Sequence, residues 1–106
     1  MQCIKIEPGK EPELCEIDNK LKALQTAVGG HIEHYDIGNG LHLILNEEGT
    51  LQGLEPNCTI RVNDYQSLML SGTVLVVRAG MEDFLPVRDG DLTKLLGLYH
   101  PMEVDA

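Results

Sequence analysis

The sequence contains no tryptophan, one phenylalanine and three tyrosines. Any core must therefore be aliphatic, built from Leu, Ile and Val. Lysine and arginine are scarce as well: eight against seventeen acidic residues, a formal charge of −9. The basic residues are scattered and form no stripe, so direct nucleic-acid binding, which works by displacing counterions from phosphates, is not expected. No apolar run approaches the roughly 20 residues that cross a bilayer, so no membrane association is expected. The N-terminus meets Lys5 and Glu7 before any apolar segment develops, unlike a secretory leader. Cys3, Cys15 and Cys58 are odd in number and show no CxxC spacing, which argues against a disulfide framework or zinc site. The expected compartment is reducing cytosol.

What is present fits one domain over residues 1–106, with an apolar share of 42% that is ordinary for a globular chain. A chain of this length buries only about two-thirds of its unfolded surface, so self-association would be a natural supplement. The acidity suits solubility, a basic protein partner or mimicry of DNA.

Residues Cys3 to Glu7 alternate with period two and predict a strand. Pro8-Gly9-Lys10 turns it back into a partner over Glu13 to Ile17. Pairing Glu7 with Pro12 sets Ile4 and Ile6 on the same face as Cys15 and Ile17. Asp18 is a suitable N-cap for a helix whose buried stripe is Leu21, Leu24 and Val28, ended by Gly29-Gly30. Gly38-Asn39-Gly40 predicts a hairpin within His31 to Asn46. There Ile37 meets Leu41, Tyr35 meets Leu43 and Glu33 meets Leu45 on a core face, while Asp36 meets His42, His34 meets Ile44 and Ile32 meets Asn46 on the other.

Asn46 to Gly49 reads as a turn, Leu51 to Asn57 as irregular, Thr59 to Val62 as a short strand and Asn63 to Ser67 as a loop. Thr73 to Arg78 is continuously apolar until its arginine, the pattern of a central strand covered on both faces. One face can meet the first helix; the other needs a second layer or another subunit. Asp83 to Val87 suits an edge strand because Pro86 donates no hydrogen bond. Asp89 or Asp91 then caps a last helix with Leu92, Leu95, Leu96 and Tyr99 as its apolar side and Pro101 as its stop. The fold class is α+β: a mixed or antiparallel sheet of five or six strands with one packed helix and a second C-terminal helix.

No catalytic residues emerge. There is no G-x-S-x-G, and no cysteine sits in an electropositive setting. The glycine-containing turns lack the P-loop order, and Gly29-Gly30 lies at the helix end that repels anions. His34, Asp36 and His42 share a hairpin face at cross-strand and diagonal spacing, a weak candidate set for Fe(II) or zinc; an ordinary cross-strand pair accounts for them equally well. Arg61, Arg78 and Arg88 lie at or near strand ends and would fork onto phosphate or carboxylate. Asn46 and Asn57 flank the irregular segment and would add amide hydrogen bonds. Surface ion pairs and a capped turn explain the same five residues without a ligand.

Ile4-Lys-Ile-Glu-Pro-Gly-Lys10, Ile17-Asp-Asn19, Val28-Gly-Gly-His-Ile-Glu33, Asn46-Glu-Glu-Gly-Thr-Leu-Gln-Gly-Leu-Glu-Pro-Asn57 and Ser71-Gly-Thr73 together resemble an uncharacterised domain family of phages, plasmids and Firmicutes, from about Ile4 to Tyr99. That family often carries a basic residue after the Pro-x-Asn position, where Cys58 stands here. The resemblance implies a mobile-element setting and no established catalytic residues. Small proteins from that setting include antagonists of bacterial defence, some of them oligomers that sequester nucleotide signals between subunits, an analogy of context rather than of structure.

The expectation is a non-enzymatic, homo-oligomeric protein that needs no cofactor and binds a small anionic ligand such as a nucleotide signal through Asn46, Asn57, Arg61, Arg78 and Arg88. The alternatives are an acidic interaction module or DNA mimic that binds a basic host protein, and a small metal-dependent enzyme.

Overall fold

The apolar run that begins at Val74 organises the molecule. In a computed structural model, which describes residues 1–49 and 51–102, it forms a strand, Val74–Ala79, the seventh of nine among the described residues. The chain order is β1 (Gln2–Ile6), β2 (Glu13–Glu16), α1 (Leu21–Val28), β3 (Ile32–Gly38), β4 (Leu41–Asn46), β5 (Pro56–Asn63), β6 (Gln66–Ser71), β7 (Val74–Ala79), β8 (Phe84–Leu85), α2 (Asp91–Leu96) and β9 (Tyr99–Pro101). The larger sheet has the order β2-β1-β7-β4-β3, with β8 paired to β7 beyond the end of β1. A second sheet has the order β6-β5-β9. Every pairing is antiparallel.

Side chains on a strand alternate between faces, and β7 uses both. Leu75 and Val77 join Leu24 and Val28 of α1, with Cys3 and Ile44, in one apolar cluster. Val74 and Val76 join Ile4, Ile6, Leu43, Ile60 and Leu70 in the other, between the two sheets. All four β7 residues are fully buried. The chain thus has three layers: α1, the larger sheet and the smaller sheet. The second layer that the sequence demanded is supplied by β5, β6 and β9 of the same chain, so this strand gives no reason to invoke another subunit.

The smaller sheet was only partly anticipated. Thr59 to Val62 lies within β5, and the polar run from Asn63 is a tight hairpin tip whose Asn63 Oδ1 accepts from the Tyr65 N–H at 2.8 Å. The run therefore turns the chain into β6 instead of looping out. Pro101 does not stop the last helix; it lies in β9, opposite Cys58. α2 ends at Leu96, and Tyr99 belongs to β9. Its N-cap is Gly90, and Asp91 is its first residue.

Two further expectations are corrected by turn geometry. The Lys10 N–H donates to the Glu7 carbonyl at 3.1 Å, and the register becomes Cys3 opposite Cys15 and Ile4 opposite Leu14. A one-residue slip flips every side chain of a strand. Cys15 therefore lies on the α1 side of the sheet, while Ile4 and Ile6 face the smaller sheet. At α1, Asp18 is not the N-cap: Lys20 is, with no side-chain cap, and the Lys20 N–H bonds to the Asp18 carbonyl. The helix then begins two residues later than expected, and its first residue, Leu21, is 60% exposed. Gly29 closes it in the left-handed conformation, as its position predicted. The β3–β4 hairpin keeps the anticipated pairs from Ile32–Asn46 to Asp36–His42, but a bulge places Gly38, not Ile37, opposite Leu41.

The two leucines of α1 separate by burial. Leu24→Ala is expected to cost about 2–4 kcal/mol through lost transfer energy and a residual cavity, and Leu21→Ala less than about 0.5 kcal/mol, both read from urea unfolding midpoints. Equal costs would contradict the placement of α1.

Candidate functional site

The five residues expected to hold an anion do not converge. Asn57 is buried in β5, and its Nδ2 donates to the Ile6 carbonyl at 2.9 Å and the Gly72 carbonyl at 2.7 Å. It pegs the smaller sheet to the end of β1 and the approach to β7. Asn46 is buried at the end of β4; its Nδ2 donates to the Val28 carbonyl at 3.3 Å and to Gln52 Oε1 at 3.1 Å, and its Oδ1 accepts from the Glu48 N–H at 2.8 Å. It ties the end of α1 to the following turn. A Cβ on Gly30 would lie 2.7 Å from that Nδ2, so glycine is the residue the close approach accepts.

Arg78 leaves β7 on the same face as Val74 and Val76 and reaches α2. Its Nε and Nη2 each donate to one oxygen of Asp91 at 2.7 Å, a planar fork on a carboxylate. Asp91 is fully buried, and its Oδ2 also accepts from the Arg88 N–H at 2.8 Å. The guanidinium passes so close to Gly40 that a Cβ there would lie 2.6 Å from Nη1. Arg61 and Arg88 are exposed and make no ion pair among the described residues. Three of the five candidates are therefore architectural pegs, and two are exposed cations.

The histidine face is equally spread. His42 Nε2 lies 4.0 Å from Asp36 Oδ1, and Asp36 Oδ1 is already taken up by the Gly38 N–H at 2.8 Å. The His34 ring sits 5.7 Å from the His42 ring and edge-on to Phe84 at the same distance. Among the described residues no group of three or more His, Cys, Asp or Glu is arranged to hold a metal ion.

What the structure does assemble is a groove. The larger sheet is wider than the smaller one, so the inward face of its edge strand β3 runs out past cover. Glu33 and Tyr35 lie on this overhang, β6 forms the opposite wall, and the turn after β4 closes one end. The cleft holds about 200 Å³. Tyr35, Leu51 and Met69 give it exposed apolar surface; Glu33, Glu47 and Glu48 rim it with carboxylates. Its chemistry suits a ligand with apolar side chains and positive charge, and it presents no cation to an anion. One sequence signal pointed here: Glu33 opposite Leu45, a carboxylate on an otherwise apolar face. That marks a strand whose inner face is not fully covered. The opposite wall lies in β6, whose residues Leu68 to Ser71 follow the expected Asn63 to Ser67 loop and carry no element expected from the sequence.

The sequence profile of a family described as Domain of unknown function (DUF3846) matches residues 1–100. Neither the search of curated proteins nor that of solved structures gave a match. Among the described residues no helix is long and apolar enough to cross a membrane.

The Arg78–Asp91 fork sets a pH dependence. Hydrogen bonds from Arg78 hold the Asp91 carboxyl below its ordinary range, helped by the Arg88 N–H. A group whose pKa is lowered by folding contributes stability that is fully present above the unfolded value, and lost as pH falls through the folded one. Asp91→Asn is expected to lower Tm at neutral pH by on the order of 10 °C, since it leaves the Arg78 charge unpaired. The difference from the unaltered protein should shrink below about pH 4, where the carboxyl of the unfolded chain takes up its proton while the native one, held lower, still resists. A difference that stays constant down to acid pH would contradict the pairing.

Proposed function

We propose, from the premise that the chain belongs to the DUF3846 family of domains of unknown function, that it is a non-enzymatic interaction module whose β3–β6 groove receives a basic, partly apolar segment of a protein partner. The observation that carries this reading is the groove itself: exposed Tyr35, Leu51 and Met69 beside the carboxylates of Glu33, Glu47 and Glu48. An apolar patch beside like charges favours a partner that offers both hydrophobic contact and the opposite sign. The net charge of −9 adds long-range attraction for such a partner, strongest at low ionic strength.

A second reading retains the small anionic ligand, in a mobile-element protein that sequesters a nucleotide signal. Its support is narrower than the sequence promised, since of the five candidate residues only Arg61 and Arg88 are exposed and without an ion pair among the described residues. It requires those two cations to be brought together with cations from another copy of the chain.

Immobilised protein and its Glu33→Gln/Glu47→Gln/Glu48→Gln variant separate the two readings when used as baits for host lysate. A basic partner held by the unaltered bait, released by about 0.5 M salt and missing from the triple variant is the expected result. A partner held equally by both baits contradicts the groove. Calorimetric heat with cyclic nucleotides or ADP-ribose derivatives, abolished by Arg61→Ala/Arg88→Ala, would favour the second reading instead.

A further inference from the structure

Cys3 and Cys15 stand directly opposite one another on β1 and β2, and their sulfurs lie 3.2 Å apart. Both are free thiols. Opposed residues of an antiparallel pair have Cα atoms about 4.5–5.5 Å apart, inside the range of about 4.4–6.8 Å that a disulfide spans without backbone movement. The two positions differ in access. Cys3 is fully buried in the cluster beneath α1, whereas Cys15 is only partly covered. β2 is also the outermost strand of the larger sheet, with a single partner.

We propose that Cys3 and Cys15 form a reversible thiol–disulfide switch that locks β2 onto the sheet, with a small glutathione-type disulfide as the oxidant. The Cys15 thiolate attacks one sulfur of that disulfide and expels one small thiolate. The Cys3 thiol then gives its proton to solvent, attacks the Cys15 sulfur of the mixed disulfide and expels the second. In the net reaction two protein thiols are oxidised to one disulfide, and the small disulfide is reduced to two thiols. Order of attack follows access and basicity. Burial above all, then the hydrogen bond and charge of Cys15, push the Cys3 thiol up to about 12, which fits the resolving partner rather than the first nucleophile.

The switch acts on an edge. With the thiols reduced, a four-residue strand is held by backbone pairing, and its Leu14, on the same face as Ile4, is half exposed. With the bridge formed, β2 cannot peel away without carrying β1 along, and Ile17 stays packed against the α1 cluster. Edge strands are where sheets open and exchange partners, so the redox state would set how readily this side of the molecule opens.

Cys58 provides an internal reference. It is fully buried in the other cluster, and its thiol too is pushed up to about 12, in its case by burial alone. The test equilibrates the whole folded chain with mixtures of oxidised and reduced glutathione, traps free thiols by alkylation in acid-quenched denaturant, and locates any bridge by peptide mass mapping. The expected product has lost two hydrogens, bridges Cys3 to Cys15 and leaves Cys58 alkylated. Its Tm should exceed that of the reduced chain by roughly 5–15 °C, as closing a hairpin of this length predicts. The same equilibrium in unfolding urea should favour the bridge less, by on the order of a hundredfold. Cys15→Ser should yield no bridge; should that variant fold poorly, the mapping on the unaltered chain still decides. Three free thiols in fully oxidised glutathione, a product that stops at the mixed disulfide on Cys15, or a bridge to Cys58 would each overturn the switch.

Discussion

Two-sided burial of Val74 to Val77 is the constraint on which the rest of the molecule depends. A strand that is apolar on both faces has no stable position at a surface, so it must be central and covered twice. α1 covers Leu75 and Val77; the smaller sheet covers Val74 and Val76. Without tryptophan, and with a single phenylalanine, the chain reaches this through interlocking aliphatic side chains in two thin clusters. The smaller sheet is thus the second half of the core.

Thin aliphatic layers slide unless something fixes their relative position, and three polar pegs do so. Asn57 joins the two sheets, Asn46 joins α1 to the turn after β4, and the Arg78–Asp91 fork joins β7 to α2. Each is buried or nearly so and hydrogen-bonded, which offsets its removal from water, although Asn57 Oδ1 has no partner among the described residues. These same residue types make ligand sites, because a side chain able to bind a ligand carbonyl or carboxylate binds the protein's own equally well. Their commitment to architecture leaves the acidic groove at β3 as the best-formed candidate for contact with another molecule.

Most of the framework was legible in the sequence, and the failures have physical causes. The central strand, the first helix with its glycine end and the β3–β4 register were readable because their signals are local: period, turn glycines and cross-strand alternation. The first hairpin was off by one residue, since Pro8-Gly9-Lys10 marks a turn without fixing how many residues it contains. β6 and β9 were missed for a different reason. Gln66 to Ser71 is polar at its start and Tyr99 to Pro101 is short, and both become strands because β5 lies between them. The roles of Arg78 and Asp91 were hidden because their encounter depends on where α2 docks, which no spacing along the chain reveals. Cys15 was expected on the face of Ile4 and Ile6, so its meeting with Cys3 could not be seen.

A protein that covers its own central strand has no need of a second copy to hide it, and the groove at β3 is then a surface available to a partner of another kind. Amide hydrogen exchange of Val74 to Val77, followed over a hundredfold range of protein concentration, tests this most directly. These amides should be among the slowest in the molecule, exchanging only through global unfolding, at rates that do not change on dilution. Protection that falls as the protein is diluted would show that the cover comes from another chain, and the three-layer arrangement within one chain would be wrong.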